Sequence, residues 1–286
     1  MERPLTLGVD RIIFQTPLVK IGALRCPPQH ARFEEPGPTE NFALVFPRSC
    51  SAIHRNDDVR FVATPSIVAP WNRGQVYRRE ALCPEGAVAD WFAFDRDLVL
   101  DTARSLDPCV ENMPERPFRV SHIRATQDTY LAQRKILRHV LRGEFTDAVS
   151  VEERALKILR RTIEESHRQW KQRIVRSEPY RPSLQDEVIW RAETHMARHF
   201  RDSLSIAEIA KQAGTSPFHL CRLFKKRRNT TLHARRNQIR LGTALEYIMD
   251  TAMDLTEIAL LLGFSSHSHF TSAFRRHFGM TPSSLR

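Results

Sequence analysis

One pattern occurs twice in the last third of the chain. It runs from Ser205 to Phe224, SIAEIAKQAGTSPFHLCRLF, and again from Asp254 to Phe274, DLTEIALLLGFSSHSHFTSAF. Each copy opens on a helix start: Ser205 stands three residues before Glu208, and Asp254 three before Glu257. The first side chain accepts from a freed backbone N–H, and the Glu reaches back to the cap. A short apolar helix follows in each, with Ile206, Ile209, Ala210 and Ala213 in one and Leu255, Ile258, Ala259 and Leu262 in the other. Gly214 and Gly263 end these helices, where a left-handed residue costs little. Ser216-Pro217 and Ser265-Ser266 restart the chain as a second helix, with Pro suited to the first helical position. That helix buries Leu220, Leu223 and Phe224, or Phe270, Ala273 and Phe274. Helix, tight glycine turn and helix form the unit whose second helix enters the major groove of DNA. Short helix pairs are common, and it is the duplication that constrains the fold.

The charge follows the same division. The 286 residues suffice for two cores, and the net charge is +11. Residues 183–286 hold 15 Lys and Arg against 9 Asp and Glu, residues 134–182 hold 13 against 7, and residues 1–133 hold 16 against 17. A basic rear half beside a neutral front half reads as a nucleic-acid binder joined to something else. No basic start leads into an apolar run, and no stretch of about 18 apolar residues occurs, so neither a signal peptide nor a membrane span is expected. Cys26, Cys50, Cys83, Cys109 and Cys221 are odd in number and scattered, which suits reduced thiols in a cytoplasm.

Residues 1–25 show no clear period. Residues 26–40 carry four prolines and read as irregular loop. Short β runs follow at Phe42–Phe46, Ala52–His54, Val59–Ala63, Ser66–Ala69, Val76–Arg79 and Ala87–Phe94, separated by turn chemistry at 56–58, 72–74 and 84–86. Strands so spaced predict a small sandwich or barrel. WNRGQ and VYRR alternate apolar and cationic residues, the pattern of a ligand cavity or of a half-exposed strand. Residues 96–126 read as a short helix and loops. Helices are predicted at Gln127–Arg142 and Val151–Gln172, with a short turn that makes them an antiparallel hairpin. Their apolar stripe packs either on the β domain or against a second chain. Residues 173–183 read as a linker. A helix is predicted from Leu184 to Phe200, and a long one from Leu232 to Met249 joins the two repeated units.

Residues 184–286 resemble the DNA-binding domain of AraC/XylS-type transcription regulators. The paired units, the run SPFHLCRLFK at 216–225 and the closing run GFSSHSHFTSAFRRHFGMTP carry the likeness. The N-terminal part resembles the cupin-like sensor of that family, through VFPRS at 45–49 and WNRGQVYRR at 71–79. The helices at 127–172 are similar to the pair that dimerises such proteins. The resemblance thus implies a multidomain α and β chain: an N-terminal cupin-like β-barrel with a helical hairpin, and a C-terminal all-α domain with two helix-turn-helix units. Its divisions are an effector-sensing domain at 1–126, a dimerising hairpin at 127–173, a linker at 174–183 and a DNA-binding domain at 184–286.

By the same resemblance, base-facing residues fall early on each second helix. These are Phe218, Cys221 and Arg222 in the first unit and His267, Ser268, His269 and Ser272 in the second. Arg222 has the fork for guanine O6 and N7. Ser272 stands where relatives often have Arg, so the second unit is expected to read bases weakly. Ser216, Lys225, Lys226, Arg240, Arg275 and Arg276 are expected phosphate contacts. His54, Trp71, Tyr77, Arg79 and Trp91 are the candidates for an effector pocket. The first unit departs from the second in its closing turn, where Arg228, Asn229 and Leu232 replace Phe278, Gly279 and Pro282. Asn tolerates the left-handed conformation. Arg in place of Phe removes an apolar plug, leaving a looser turn or one that reaches a phosphate.

The ten glycines form no nucleotide-binding loop, and neither G-x-S-x-G nor HExxH occurs. Cys26/His30 and Cys50/His54 are two Cys-x3-His pairs, readable as zinc ligands or as ordinary buried thiols and histidines. The sensor region lacks the HxH pairing of metal-dependent cupins. The leading expectation is a cytoplasmic, sequence-specific transcription regulator. It needs no cofactor or metal, is not an enzyme, and responds to a small-molecule effector. Its expected partners are double-stranded DNA, a second copy of itself and RNA polymerase. The alternative is a cupin-like enzyme or metal sensor tethered to a DNA-binding domain.

Overall fold

The computed structural model describes residues 9–143, 147–175 and 183–286. Its front half is built from antiparallel strands: β1 (Asp10–Gln15), β2 (Val19–Cys26), β3 (Phe42–Pro47), β4 (Ser51–Arg55), β5 (Arg60–Ala63), β6 (Ile67–Trp71), β7 (Tyr77–Ala81), β8 (Ala87–Phe94) and the short β9 (Ile123–Arg124). One sheet has the order β1-β2-β8-β3-β6-β9 and the other the order β5-β4-β7. Strands β3 to β8 fall where alternation and turn residues predict them. The pair β1–β2 was not expected. Gly22 lies within β2, where glycine ordinarily weakens a strand. Here the Trp91 indole occupies the space that a Cβ at Gly22 would fill, and its Nε1 donates to Asp10 Oδ1 at 2.6 Å.

The two sheets face each other across a small core that includes Ile53, Phe61, Ala63, Ile67 and Trp71. The other face of the larger sheet is covered by α1 (Arg96–Arg104), α2 (Gln127–Arg142) and α3 (Ala148–Val175). Val151, Ala155, Ile158, Leu159 and Ile163 of α3 are buried there with Ile21, Leu44 and Phe92. Of the two surfaces open to the hairpin's apolar stripe, it therefore packs on the chain's own β domain. What remains outward on α3 is charged, with Glu153, Arg154, Lys157, Arg160 and Arg161 exposed. Most of the expected linker at 174–183 lies outside the described residues.

The rear half is helical: α4 (Leu184–Arg198), α5 (Ile206–Ala213), α6 (Pro217–Arg228), α7 (Leu232–Asp250), α8 (Leu255–Leu261) and α9 (His267–Phe278). Its two units are stabilised differently. The first has a core of its own, where Ile189 and Met196 of α4 meet Ile209, Ala213, Leu220, Leu223, Phe224 and Leu232. The second shares its core with the front half. Ile258, Phe270, Phe274 and Phe278 belong to one cluster with Cys50, Ala52, Val62, Leu82, Tyr130 and Leu131. Strand alternation explains this, since Ile53 and Phe61 face the other sheet while Ala52 and Val62 face the helices. The fit is close at Gly242 of α7, where a Cβ would collide with the carbonyl of Pro65. Polar contacts follow the same seam: Arg60 to Glu187 (2.6 Å), Arg198 to Glu80 (2.9 Å) and Arg235 to Ser66 (2.8 Å).

The seam also holds a buried ionic network. Arg134 of α2 meets Asp90 of β8 at 3.2 Å, Glu246 of α7 at 3.4 Å and Asp250 of α7 at 2.5 Å. Arg48, in the β3–β4 turn, also reaches Glu246, Asp250 and Asp90. The Tyr130 hydroxyl donates to Glu246 at 2.5 Å, and Gln133 donates to Asp90 at 2.9 Å. Burial pushes the Glu246 carboxyl up, but Arg134 and Arg48 outweigh it and hold the group below its ordinary value.

Candidate nucleic-acid interface

Local chemistry forms each unit as the sequence pattern predicts. Ser205 with Glu208 and Asp254 with Glu257 make reciprocal capping boxes. Gly214 and Gly263 sit at φ 71° and 76° in the turns. Ser216 caps α6 with Pro217 at its first position, and Ser266 caps α9. Capping and inward apolar residues fix which face of α6 and α9 remains outside.

On α6 that face carries Phe218, Cys221, Arg222, Lys225 and Lys226, all exposed, with Ser216 exposed at the cap. Phe218 is 78% exposed on the first turn, an unusual place for a large ring. On α9 the outer face carries His267, Ser268, Ser272, Arg275 and Arg276. His269 is exposed but held against its own turn: its Nδ1 lies 3.1 Å from Ser265 Oγ, and its ring meets Phe264 edge-on at 5.6 Å. The side chains of Arg222, Lys225, Lys226, Arg275 and Arg276 have no hydrogen-bond or ion-pair partner among the described residues. Five cations presented without internal partners on the outer faces of two like helices make a surface suited to phosphate and base edges.

Arg240 does not belong to that surface. It is 5% exposed, and its fork donates to the carbonyls of Phe200 (2.5 Å), Gly263 (2.8 Å), Asp202 (2.9 Å) and Arg201 (3.3 Å). Position 240 faces inward because α7 is buried between the loop that leads into α5 and the turn of the second unit. Arg240 ties these two segments together, and burial pulls its pKa down to about 10. Arg240→Met should lower stability by about 1–3 kcal/mol through the unpaired carbonyls. The slope of DNA affinity against salt should stay unchanged, whereas a lost phosphate contact would reduce it by about 1. Salt titration of both proteins checks this.

Arg228 is likewise neither loose nor outward. It pairs with Glu193 through two bonds of 2.9 and 2.8 Å, so an ion pair replaces the aromatic plug that Phe278 supplies in the second unit. Asn229 takes the left-handed conformation at φ 49°, as Gly279 does at φ 70°.

The five expected effector-pocket residues do not converge on one cavity. The Trp71 and Tyr77 rings are in contact, with centroids 4.3 Å apart and planes tilted by 37°, packed with Phe61 between the sheets. His54 lies edge-on to Trp190 of α4 at 5.1 Å. Arg79 is buried, with its Nε donating to the Phe33 carbonyl at 3.0 Å. Trp91 covers Gly22. Aromatic and cationic alternation here supplies core packing and a seam contact. The charged network of Arg48, Asp90, Arg134, Glu246 and Asp250 escaped the sequence reading. Its only local traces are Asp90 within an apolar strand and Gln133–Arg134 on the apolar side of α2.

A family model described as a helix-turn-helix domain matches residues 209–286. The probable transcription factor PqrA of Proteus vulgaris is 35% identical over 103 residues, which cover 36% of this chain and 82% of PqrA. The chain belongs to the AraC/XylS family of transcription regulators. The regulatory protein SoxS of Escherichia coli K12 is 34% identical over 103 residues, covering 36% of this chain and 92% of SoxS. The regulator GlxA of Rhizobium meliloti is 39% identical over 99 residues, covering 35% of this chain and only 29% of GlxA. As an AraC/XylS regulator the chain carries a DNA-binding helix-turn-helix domain in its rear half. Among the described residues no helix is long and apolar enough to cross a membrane.

Proposed function

We propose that this AraC/XylS regulator reads two neighbouring major-groove segments of double-stranded DNA with α6 and α9, under control of a small-molecule effector bound by its front half. The observation that carries the reading is the matched pair of outer faces, where cations without internal partners stand beside short, exposed polar side chains. Phe218, Cys221 and Arg222 face bases in the first segment, and His267, Ser268 and Ser272 face the second, where His269 joins them by leaving its contacts with Ser265 and Phe264. Ser216, Lys225, Lys226, Arg275 and Arg276 contact phosphates and set the register. The front half at 1–126 is the sensing domain, 127–173 the hairpin, and 184–286 the DNA-binding domain. A homodimer, working in the cytoplasm and meeting RNA polymerase at promoters, completes the reading. The dimer contact would use the charged outer face of α3, since its apolar stripe is occupied. The protein acts by binding rather than catalysis. In support, burial pushes the Cys50 and Cys83 thiols up, the opposite of an activated nucleophile.

Arg222→Ala is the direct test. Its five-donor fork and early position suit a bidentate guanine contact, so the variant should lose about 1–3 kcal/mol at one base pair and accept other bases there. Selection of bound genomic fragments supplies the site, and base-by-base substitution measures the loss. An equal loss on specific and random duplexes would reduce Arg222 to a phosphate contact.

A further inference from the structure

A cavity of about 270 Å³ opens between β1, β2, the last turns of α2 and the end of α7. It lies on the helix-covered face of the larger sheet, away from the aromatic core between the sheets. Arg48, Arg134 and Asp250 of the ionic network reach its wall, and Ile13, Leu137 and Met249 make another side apolar. Arg11 and Arg25 stand at its rim on paired strands. Arg11 is in register with Ala23, so Arg25, two residues on, shares its face. Both are exposed, and their side chains have no hydrogen-bond or ion-pair partner among the described residues.

The charge around this cavity is unbalanced. Among the described residues six arginines line it against two aspartates; with Arg142 set aside as already partnered and Glu246 counted behind them, five cations face three carboxylates. A concave surface with low-dielectric walls focuses such an excess into an attraction for anions. The three carboxylates also differ in accessibility. The side chains of Asp90 and Glu246 are 3% and 10% exposed, whereas that of Asp250 is 37% exposed. Asp250 is thus the one acid of the network that a solute can displace without first entering the buried seam.

We propose that this cavity binds a small organic anion whose carboxylate or phosphate oxygens pair with Arg11 and Arg25 and compete with Asp250 for Arg48 and Arg134. A short apolar arm of the ligand lies against Leu137 and Met249. The volume falls below the roughly 300–1,000 Å³ of drug-sized sites, which selects one ring or a short chain over a long acyl chain. An anion that takes the guanidinium groups from Asp250 frees the last turn of α7, the helix that joins the two reading units. The proposal rests on the effector-responsive reading and gives that effector a class and a place.

Calorimetric titration of the full-length chain tests it with phenylacetate, phenyl phosphate, inorganic phosphate and neutral phenylacetamide. At least one of the two organic anions should bind, inorganic phosphate should bind at least about tenfold more weakly, and the amide should give no signal up to about 10 mM. Arg25→Ala should weaken the anion about tenfold with unchanged thermal unfolding, because Arg25 is exposed and unpaired. Asp250→Asn should tighten it about fivefold, since the competitor loses its charge. A residue with a merely structural role would not shift affinity in that direction. Failure of both organic anions, equal binding of the amide, or indifference to Arg25→Ala would overturn the site. A different small molecule that shifts DNA affinity but ignores Arg25→Ala would overturn the site and leave the effector reading standing. An anion that binds with these sensitivities yet leaves DNA affinity unchanged upholds the site and removes the effector reading.

Discussion

Glu246→Ala is expected to cost about 3–5 kcal/mol of stability, the range for removing one partner of a buried ion pair. Glu246 accepts from Arg48 and Tyr130 and lies 3.4 Å from Arg134, so its loss leaves two buried guanidinium groups to share Asp90 and Asp250 and a buried hydroxyl without its acceptor. Replacing the whole network by apolar residues is a different experiment and need not destabilise. Urea unfolding of both proteins reads the difference, and a loss below about 1 kcal/mol would mean that water already reaches the network. The effect depends on pH in a defined direction. Arg134 and Arg48 hold the folded carboxyl below its unfolded value of about 4.3. The stability this confers is fully present above that value and is lost as pH falls through the lower, folded pKa. Wild type and Glu246→Gln should therefore converge in stability on acidification below about pH 4.

Phe224→Ala should cost a similar amount, about 3–5 kcal/mol, by leaving a cavity under the first recognition helix. Phe224 is fully buried in a cluster built from α4, α5, α6 and the start of α7, with Leu204 of the α4–α5 loop packed against it. The damage should therefore stay local: hydrogen exchange should quicken across 206–228 while 255–278 keeps its protection. Phe274→Ala removes an equally buried ring, but from the cluster shared with Ala52, Val62 and Leu82. Its damage should spread to β4, β5 and the end of β7 as well as to α8 and α9. Exchange measured by mass spectrometry on both variants checks the contrast. Identical exchange maps would show that the two cores act as one.

What could be read in the chain beforehand follows the range of the interactions. Capping boxes, glycine turns and the i, i+3, i+4 apolar sets act within a few residues, and α5, α6, α8 and α9 lie where these signals put them. Strands β3 to β8 are punctuated by local turn chemistry and were equally legible. Strand β2 was not, because the cause that makes Gly22 acceptable there is Trp91, a distant residue. The ionic network joins Arg48 to Asp250 across 202 positions, a separation over which no spacing pattern operates. Arg240 looked like a phosphate contact because its charge was visible and its burial between two loops was not. His54, Trp71, Tyr77, Arg79 and Trp91 show the converse: their spacing suits ligand binding, and the packing contacts they make come from distant residues that no local pattern reveals.

The core shared between the second unit and the β4–β5–β7 face bears on how the chain is made. Synthesis proceeds from the N-terminus, and domains generally fold as they emerge. The strands that carry Ala52 and Val62, and Leu82 just past β7, are complete well before α7, α8 and α9 exist. At the usual ~5–20 residues per second, the sheet waits on the order of 10–40 s for the helices that cover it. During that interval its outer face is an apolar surface in water, while the first unit, with a core of its own, closes as soon as α6 and the start of α7 emerge. The last helices thus complete the β half as well as the helical half, and a ribosome that stops before α9 releases a β half with an uncovered face.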